Sequence, residues 1–321
     1  MSIVFGPIPS RRLGRSLGIN NIPPKQCSYS CVYCQVGLTT QLSINRKEYY
    51  FPSKIYSEVK NRLDTLKNNN ERIDYLSFVP DGEPTLDINL QKTISRLQGF
   101  GIEIAVFTNS SLMFKEEVRS ALNFADYISV KVDAADDITW RKINRPNPLL
   151  NLNEIQKGIL EFRKEYKGKL VTETMLIDGI NDKEDDLVKI SHFISQIKPS
   201  IAYLMTPTRP TPIRGIRGPG QAKVNSAFEL MKSINSQTEL LNQYEGNDFG
   251  VGDQVKEDLL SILAVHPMRK DAVEEFLKKA GADYSLISSL IESKAISEIL
   301  YNNNIYYKKN TKKVQKEINI Q

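Results

Sequence analysis

Short apolar runs alternate with longer amphipathic stretches up to about residue 235. The short runs are rich in β-branched and aromatic residues, and the longer stretches repeat their apolar positions every three or four residues. In the stretch 54–67, for example, Ile55, Val59, Leu63 and Leu66 form one apolar stripe between charged positions. This alternation is typical of repeated βα units around a parallel sheet.

The pattern predicts six strands and six helices in this part of the chain. The predicted strands are Ser16–Asn20, Ile73–Val79, Ile102–Thr108, Tyr127–Lys131, Leu170–Ile177 and Ile201–Met205. The predicted helices are Lys54–Lys67, Asn89–Gln98, Lys115–Leu122, Asn151–Glu165 and Lys183–Ile197, with a sixth after Gly220.

The pattern changes near residue 255. Three predicted helices are followed there by two short β-runs, namely Lys256–Val265, Lys270–Ala280, Tyr284–Ser293, Ser297–Tyr301 and Ile305–Lys309. An asparagine-rich turn between the two β-runs predicts a hairpin, because asparagine tolerates left-handed backbone conformations. We therefore expect a first domain over residues 1–240, a linker over 241–254, a winged helix-turn-helix-like domain over 255–310 and a basic tail over 311–321.

Composition narrows the class of protein. With 321 residues, 40% of them hydrophobic and 25% charged, the chain can bury a core in one large and one small domain. The net charge of +5 is too small to indicate nucleic-acid binding by itself. No apolar run reaches the length of a membrane span, and the N-terminal residues do not resemble a signal peptide. We expect a cytoplasmic protein with no membrane partner.

Polar residues follow most of the predicted strands. Because the carboxyl ends of parallel strands share one face of a barrel-like sheet, the chemistry is expected at that end. The segments concerned are 27–34, Asp81-Gly82-Glu83-Pro84, Thr108-Asn109-Ser110, Lys131 with Asp133, 178–181 and 206–210.

All three cysteines of the chain lie within eight residues, as Cys27, Cys31 and Cys34. Three clustered thiols do not form a disulfide framework. A structural zinc site needs a fourth ligand, and neither His192 nor His266 is placed in the sequence to supply it. A [4Fe-4S] cluster takes one cysteine per iron, so three cysteines would leave one iron open to an outside ligand.

The spacing Cys-x3-Cys-x2-Cys, with Tyr33 just before the third cysteine, resembles the signature of the radical S-adenosylmethionine superfamily. The resemblance implies an α/β fold, a partial (βα)6 TIM-like barrel, here followed by a small C-terminal winged-helix-like α+β domain. It also implies one [4Fe-4S] cluster held by the three cysteines, with S-adenosylmethionine on the open iron. In this family one electron from the reduced cluster cleaves the sulfonium and gives a 5′-deoxyadenosyl radical, which abstracts a substrate hydrogen.

The resemblance assigns roles to several residues at the strand ends. Glu83 looks like the carboxylate that holds the methionine ammonium, although Asp81 stands where the family has a first glycine. Further cofactor-binding residues implied in the same way are Tyr33, Gly82, Pro84, Thr108, Asn109, Ser110, Glu173, Leu176, Asp178 and Asn181. The segment 176–181 would lie on the adenine side.

A narrower resemblance covers roughly residues 3 to 235. The runs 5–18 and 22–25, Gly-Glu-Pro-Thr-Leu and Thr208-Arg209-Pro210 look like the radical enzymes grouped with wyosine-type tRNA-guanosine synthases. Those synthases hold a second cluster on three additional cysteines, which this chain does not have. The chain is therefore expected to be a relative of that group rather than a wyosine synthase.

Charged residues to which the resemblance gives no role in cofactor binding are candidates for contact with the substrate. Lys131, Asp133 and Arg209 are the residues predicted to be catalytic, and a desolvated Lys131 could also form a Schiff base. The other arginines considered are Arg11, Arg12, Arg15, Arg141, Arg145, Arg214 and Arg217, because guanidinium groups bind phosphates and carboxylates.

Three functions stay open at this point. One is a tRNA- or RNA-modifying radical enzyme, whose C-terminal hairpin could stack RNA bases on Tyr301, Tyr306 and Tyr307 or simply pack them inside. Another is a radical enzyme acting on a protein or small molecule, such as a glycyl-radical activase. The third is an iron-sulfur redox-sensing, DNA-binding regulator. For either enzyme, the family implies flavodoxin or ferredoxin as electron donor.

Overall fold

The computed structural model describes residues 2–69 and 71–310, and its main feature is an eight-stranded sheet. The strands of that sheet are β1 (Val4–Ser10), β2 (Gly14–Ile19), β5 (Tyr75–Phe78), β6 (Glu103–Thr108), β7 (Tyr127–Lys131), β8 (Lys169–Met175), β9 (Ile201–Met205) and β10 (Thr238–Leu240). Two short strands, β3 (Gln26–Cys27) and β4 (Gln41–Leu42), pair beside it. The order in the large sheet is β1-β2-β5-β6-β7-β8-β9-β10, so β1 and β10 are its edges.

The strands from β2 to β10 are parallel, and only β1 is antiparallel to its neighbour. Residues of β7 from Tyr127 to Val130 are buried, as expected where helices cover a parallel sheet. The helices are α1 (Pro52–Asn68), α2 (Leu90–Leu97), α3 (Glu116–Leu122), α4 (Asp137–Asn144), α5 (Leu152–Glu165), α6 (Glu184–Ile197) and α7 (Gln221–Ile234). The prediction of an α/β fold with a parallel sheet is confirmed.

Each of the six predicted strands is present, but five strands and one α-helix were missed. These are β1, β3, β4, β10, the short strand β11 (Met268–Arg269) and α4. Helix α4 begins with a side-chain cap, in which Asp136 accepts a hydrogen bond from Thr139 N at 3.0 Å. This local cap was a sequence signal for α4 that the apolar pattern alone did not show.

The C-terminal segment has its own apolar core. Its elements are α8 (Val255–Val265), β11, α9 (Lys270–Ala280), α10 (Ser285–Glu292), β12 (Ile296–Tyr301) and β13 (Asn304–Lys309). The hairpin predicted over the last two strands is present, with Tyr301 paired with Asn304 across a two-residue turn. Asn302 and Asn303 in this turn have φ values of 47° and 59°, which suit asparagine. The winged-helix class and the domain boundaries stay predictions, and the basic tail 311–321 lies outside the described residues.

The predicted linker is packed against both parts of the chain. Phe249 and Val251 lie in the C-terminal apolar core, and Gly250 N donates to Pro7 O at 2.8 Å. The C-terminal segment also contacts α1, where Arg62 pairs with Asp258 at 2.8 Å. These contacts hold the C-terminal segment against the β1 side of the sheet. Among the described residues, no helix has both the length and the apolar character that crossing a membrane requires.

Candidate active site

A cavity of about 340 Å³ lies at the carboxyl ends of the parallel strands. The cysteine loop, the β1–β2 turn, several strand ends, the loop after β9 and part of the C-terminal segment all contribute to its wall. Its volume falls within the range of small-molecule sites. The structure therefore brings Cys27, Cys31 and Cys34 into one cavity with residues that are distant in the sequence.

The cysteine loop is fastened to the loop after β5. Lys25 N donates to Asp81 O at 2.7 Å, and Glu83 N donates to Gln26 O at 3.0 Å. Between them Gly82 approaches the backbone so closely that a Cβ there would lie 1.9 Å from Gln26 O. Glycine is therefore required at position 82 for these two loops to meet. The Lys25 ammonium also pairs with the buried Asp81 carboxylate at 2.9 Å, which gives Asp81 a structural partner.

Two asparagine amides point at the cysteine sulfurs. Asn109 Nδ2 lies 3.5 Å from Cys27 Sγ, and Asn144 Nδ2 lies 3.4 Å from Cys31 Sγ. Asn144 also donates to Asp133 at 2.7 Å, and the Tyr33 hydroxyl donates to the same carboxylate. Amide donors next to thiolate ligands are a common way for a protein to adjust an iron-sulfur cluster.

Three thiols are a donor set that a [4Fe-4S] cluster accepts. Within residues 2–69 and 71–310, no three ligand-type side chains converge closely enough to hold one metal ion. In a [4Fe-4S] cluster each thiolate binds a different iron, so its three ligands need not converge on one point. Burial raises the pKa of all three thiols, that of Cys31 to about 12. Iron would supply the positive charge that keeps these buried thiolates deprotonated.

Glu83 is a buried carboxylate surrounded by donors. Its Oε1 accepts from Thr85 N at 3.1 Å, Thr85 Oγ1 at 2.6 Å and Thr108 Oγ1 at 2.7 Å. Its Oε2 accepts from Asn109 N at 2.7 Å. Burial raises the pKa of Glu83, while these hydrogen bonds oppose the rise. Thr108 and Asn109 thus orient Glu83 in this structure.

A second buried carboxylate, Glu173, binds two cations. Arg12 Nη1 donates to its Oε1, and Lys131 Nζ lies 2.8 Å from its Oε2. Burial alone would raise the pKa of Glu173, but Arg12 and Lys131 outweigh burial and lower it to about 2. Burial likewise would lower the pKa of Lys131, but Glu173 and Asp133 raise it. Lys131 is therefore held as an ammonium, which does not favour the Schiff base considered from the sequence.

A third cluster of polar side chains lies in the cavity, and the sequence did not predict that its members come together. Arg209 donates to Glu245 and, at 2.8 Å, to Gln35 Oε1 of the cysteine loop. His266 Nε2 lies 2.8 Å from Glu245 Oε1. Burial and Arg209 lower the pKa of His266 to about 4, so it is neutral at physiological pH. His266 was interpreted as lying only at the edge of the small domain, whereas the structure places it in the cavity wall.

Several predicted site residues lie away from the cavity wall. Asp133 binds Tyr33, Asn144 and Met175 N beneath the cysteine loop instead of facing the cavity. Asp178 pairs with the exposed Arg217 at 3.3 Å. The remaining predicted residues outside the wall are Glu83, Pro84, Thr108, Asn109, Ser110, Leu176 and Asn181, and Glu83 directly follows Gly82 of the wall in the chain. Tyr33, Gly82, Lys131, Glu173 and Arg209 line the cavity with the cysteines.

The chain belongs to the radical SAM superfamily, whose family model matches residues 21–190. This match confirms the interpretation of the cysteine spacing. The chain is also 43% identical over 320 residues to a UPF0026 protein of Methanocaldococcus jannaschii, and the alignment covers 99% of each protein. Radical SAM membership makes the protein an enzyme of this superfamily and implies a [4Fe-4S] cluster and S-adenosylmethionine.

Solved structures show the same fold at low sequence identity. A structure of TYW1 with a lysine-pyruvate adduct bound has a TM-score of 0.51 and 16% identity, covering 69% of this chain and 75% of that one. Streptococcus suis SuiB bound to precursor peptide SuiA has a TM-score of 0.54 and 14% identity, covering 84% of this chain and 65% of that one. These similarities concern the fold alone.

Proposed function

We propose that the protein uses one [4Fe-4S] cluster to cleave S-adenosylmethionine reductively and abstract a hydrogen atom from a substrate in the cavity. The observation that supports this most strongly is the meeting of the three cysteines with Gly82 and Glu83, through the contact between Gln26 and the loop after β5. When bound, the reduced cluster supplies the electron that breaks the sulfonium and yields the 5′-deoxyadenosyl radical.

The chain's own residues would bind the cluster and S-adenosylmethionine, orient them and shield the site from water. Cys27, Cys31 and Cys34 would each bind one iron and leave the fourth to S-adenosylmethionine. Glu83 is already oriented by its donors, and its Oε2 has one hydrogen-bond partner among the described residues, so it can accept the methionine ammonium. The other cofactor-binding assignments, including Leu176, Asp178 and Asn181, remain proposals.

The C-terminal segment would keep water out of the site. Gln35 Nε2 donates to Val265 O at 3.1 Å, which ties the cysteine loop to the end of α8. The Tyr301 hydroxyl donates to Pro207 O at 3.1 Å, and the Tyr306 hydroxyl donates to Thr208 O at 2.9 Å. A radical reaction needs such shielding, because water and side reactions compete with the substrate.

Tests of this proposal begin with the metal content. Anaerobic reconstitution with iron and sulfide should give about four irons per chain, and S-adenosylmethionine should change the electron paramagnetic resonance spectrum of the reduced cluster. A content near two irons, or a spectrum that S-adenosylmethionine leaves unchanged, would contradict the proposal. Flavodoxin and ferredoxin are the proposed physiological reductants, and either should replace dithionite.

RNA is one candidate for the substrate of this proposed reaction. A probable dual-specificity RNA methyltransferase of Endomicrobium trichonymphae is 22% identical over 68% of this chain, which favours testing RNA. Two of the three hairpin tyrosines do not strengthen this case, since Tyr306 and Tyr307 are 5% and 1% exposed and pack inside the protein. If RNA is the substrate, total tRNA should stimulate 5′-deoxyadenosine formation and its binding should weaken steeply with salt. Cleavage indifferent to tRNA favours a small molecule or a protein.

A further inference from the structure

Part of the cavity wall comes from outside the segment that matches the family model. Residues 21–190 match that model, whereas Arg11, Arg12, Arg209, Glu245 and His266 all lie before or after them. These five residues come from the β1–β2 turn, the loop after β9, the connection 241–254 and the end of α8. Because they are additions to the matched core, they are candidates for binding something other than the cofactor.

Positive charge exceeds negative charge in this part of the wall. Arg12 and Lys131 share a single carboxylate, Glu173. Arg11 donates through Nη1 to two backbone carbonyls, those of Leu241 at 2.9 Å and Gln243 at 2.8 Å, and it pairs with no carboxylate in the described part of the chain. An anion would neutralise this excess.

The guanidinium groups are also crowded. Burial lowers the pKa of Arg11 to about 10, and the neighbouring positive charges of Arg209 and Arg12 add to this effect. The cationic form of Arg11 is thus destabilised by its surroundings, although Arg11 stays protonated at neutral pH. A bound carboxylate or phosphate would relieve the repulsion and accept the unused N–H groups.

Two buried polar atoms in the wall have no hydrogen-bond partner within residues 2–69 and 71–310. They are Nε of Arg12 and Oε2 of Glu245. The Glu245 side chain is 3% exposed, and its Oε1 is already used by Arg209 and His266. Buried polar groups are rarely left unpaired, since each unpaired group costs stability. One atom requires an acceptor and the other a donor.

We propose that Arg11, Arg12 and Glu245 form a subsite for a small substrate that carries a carboxylate or phosphate group together with an N–H or O–H group. The two arginines bind the anion, and the Glu245 carboxylate accepts the hydrogen bond. The substrate is small because the C-terminal segment covers this side of the cavity through the contacts of Tyr301 and Tyr306 with the loop after β9. The proposal rests on the proposed function, since the subsite shares the cavity with the cysteines.

Anion binding to the reconstituted full chain tests the subsite. Calorimetric titration with malonate and with inorganic phosphate, at constant ionic strength set by chloride, should give saturable binding of one of them and thereby identify the anion. Arg11→Gln should weaken that binding about tenfold or more, because it removes a charge-assisted contact. Arg72→Gln is the matched control, since the Arg72 side chain is 85% exposed and, within residues 2–69 and 71–310, has Asp74 as its one ion-pair partner. This variant should bind like the wild type.

A paired ligand tests the acceptor. Hydroxymalonate differs from malonate by one hydroxyl, so the wild type should bind it about tenfold more tightly, and Glu245→Gln should reduce this preference. The preference is a ratio within one variant, so a general loss of stability does not affect it. If phosphate is the anion bound, ethyl phosphate and 2-hydroxyethyl phosphate replace malonate and hydroxymalonate as the pair. Unchanged binding in Arg11→Gln, no saturable binding of either anion, or equal binding of the two members of the pair would overturn the proposal.

The outcome is separable from that of the proposed function. If the wild type forms 5′-deoxyadenosine but Arg11→Gln binds anions unchanged, the subsite is refuted and the radical chemistry stands. If Arg11 is needed for anion binding but no 5′-deoxyadenosine forms, the subsite stands and the proposed function fails.

Discussion

Glu83→Gln perturbs the carboxylate on which the proposed cofactor site depends. Each orientation of the new amide places an NH2 group against a backbone N–H, that of Asn109 or that of Thr85, where a carboxylate oxygen now accepts. The loss of one charge-assisted hydrogen bond costs about 1.5–3 kcal/mol. Part of this is offset, because burial raises the pKa of Glu83 and a neutral amide avoids burying a charge.

The expected net loss is therefore about 1–2 kcal/mol, which lowers the unfolding midpoint of a 321-residue chain by roughly 1.5–3 °C. Calorimetry of the cofactor-free protein measures this, and Glu58→Gln, on the exposed face of α1, is the control. With the cofactor, KM for S-adenosylmethionine should rise about tenfold or more, since the ammonium loses its anionic partner. A variant as stable as the wild type, with an unchanged KM, would refute the role of Glu83.

Other predictions concern close packing and pH. Gly82→Ala should destabilise the protein by roughly 1–3 kcal/mol or more and lower its iron content after reconstitution, because the new Cβ would overlap Gln26 O. Gly99→Ala, where no atom lies within 4 Å, should do neither. Since the pKa of His266 is lowered to about 4 from 6.5, the unfolded chain takes up a proton first on acidification, and stability falls between these pH values. His266→Gln should reduce this loss by about 2–3 kcal/mol in chemical denaturation between pH 7 and 4, and an unchanged pH profile would count against the buried neutral imidazole beside Arg209.

The apolar periodicity predicted the repeated βα part of the fold. It missed strands that contain proline or are too short to show a period. The six strands that were predicted are largely buried runs such as 127–131, which pattern analysis finds readily. Strand β1 reads VFGPIPS, and its prolines argue against a strand unless it lies at an edge, which is where β1 is found. Strands β10 and β11 have three and two residues, too few to show a period.

The site was predicted where its chemistry is local and missed where it is assembled from distant segments. Cys27, Cys31 and Cys34 share one loop, so their spacing was visible in the sequence. Glu245 and His266 are far from that loop, and they reach it only because the C-terminal segment folds back to contact Gln35. Asp133 was predicted to face the cavity because it comes just after a strand, but its carboxylate accepts hydrogen bonds from Tyr33 and Asn144 instead.

The most direct test of the central claim is 5′-deoxyadenosine formation by the anaerobically reconstituted and reduced protein. The wild type should form it from S-adenosylmethionine, and Cys31→Ala, which removes one of the three iron ligands, should lose both the brown absorbance of the cluster and the product. Product formation that persists in Cys31→Ala, or a fully loaded wild type that forms none, would contradict the assignment of Cys27, Cys31 and Cys34 as the ligands of a catalytic cluster.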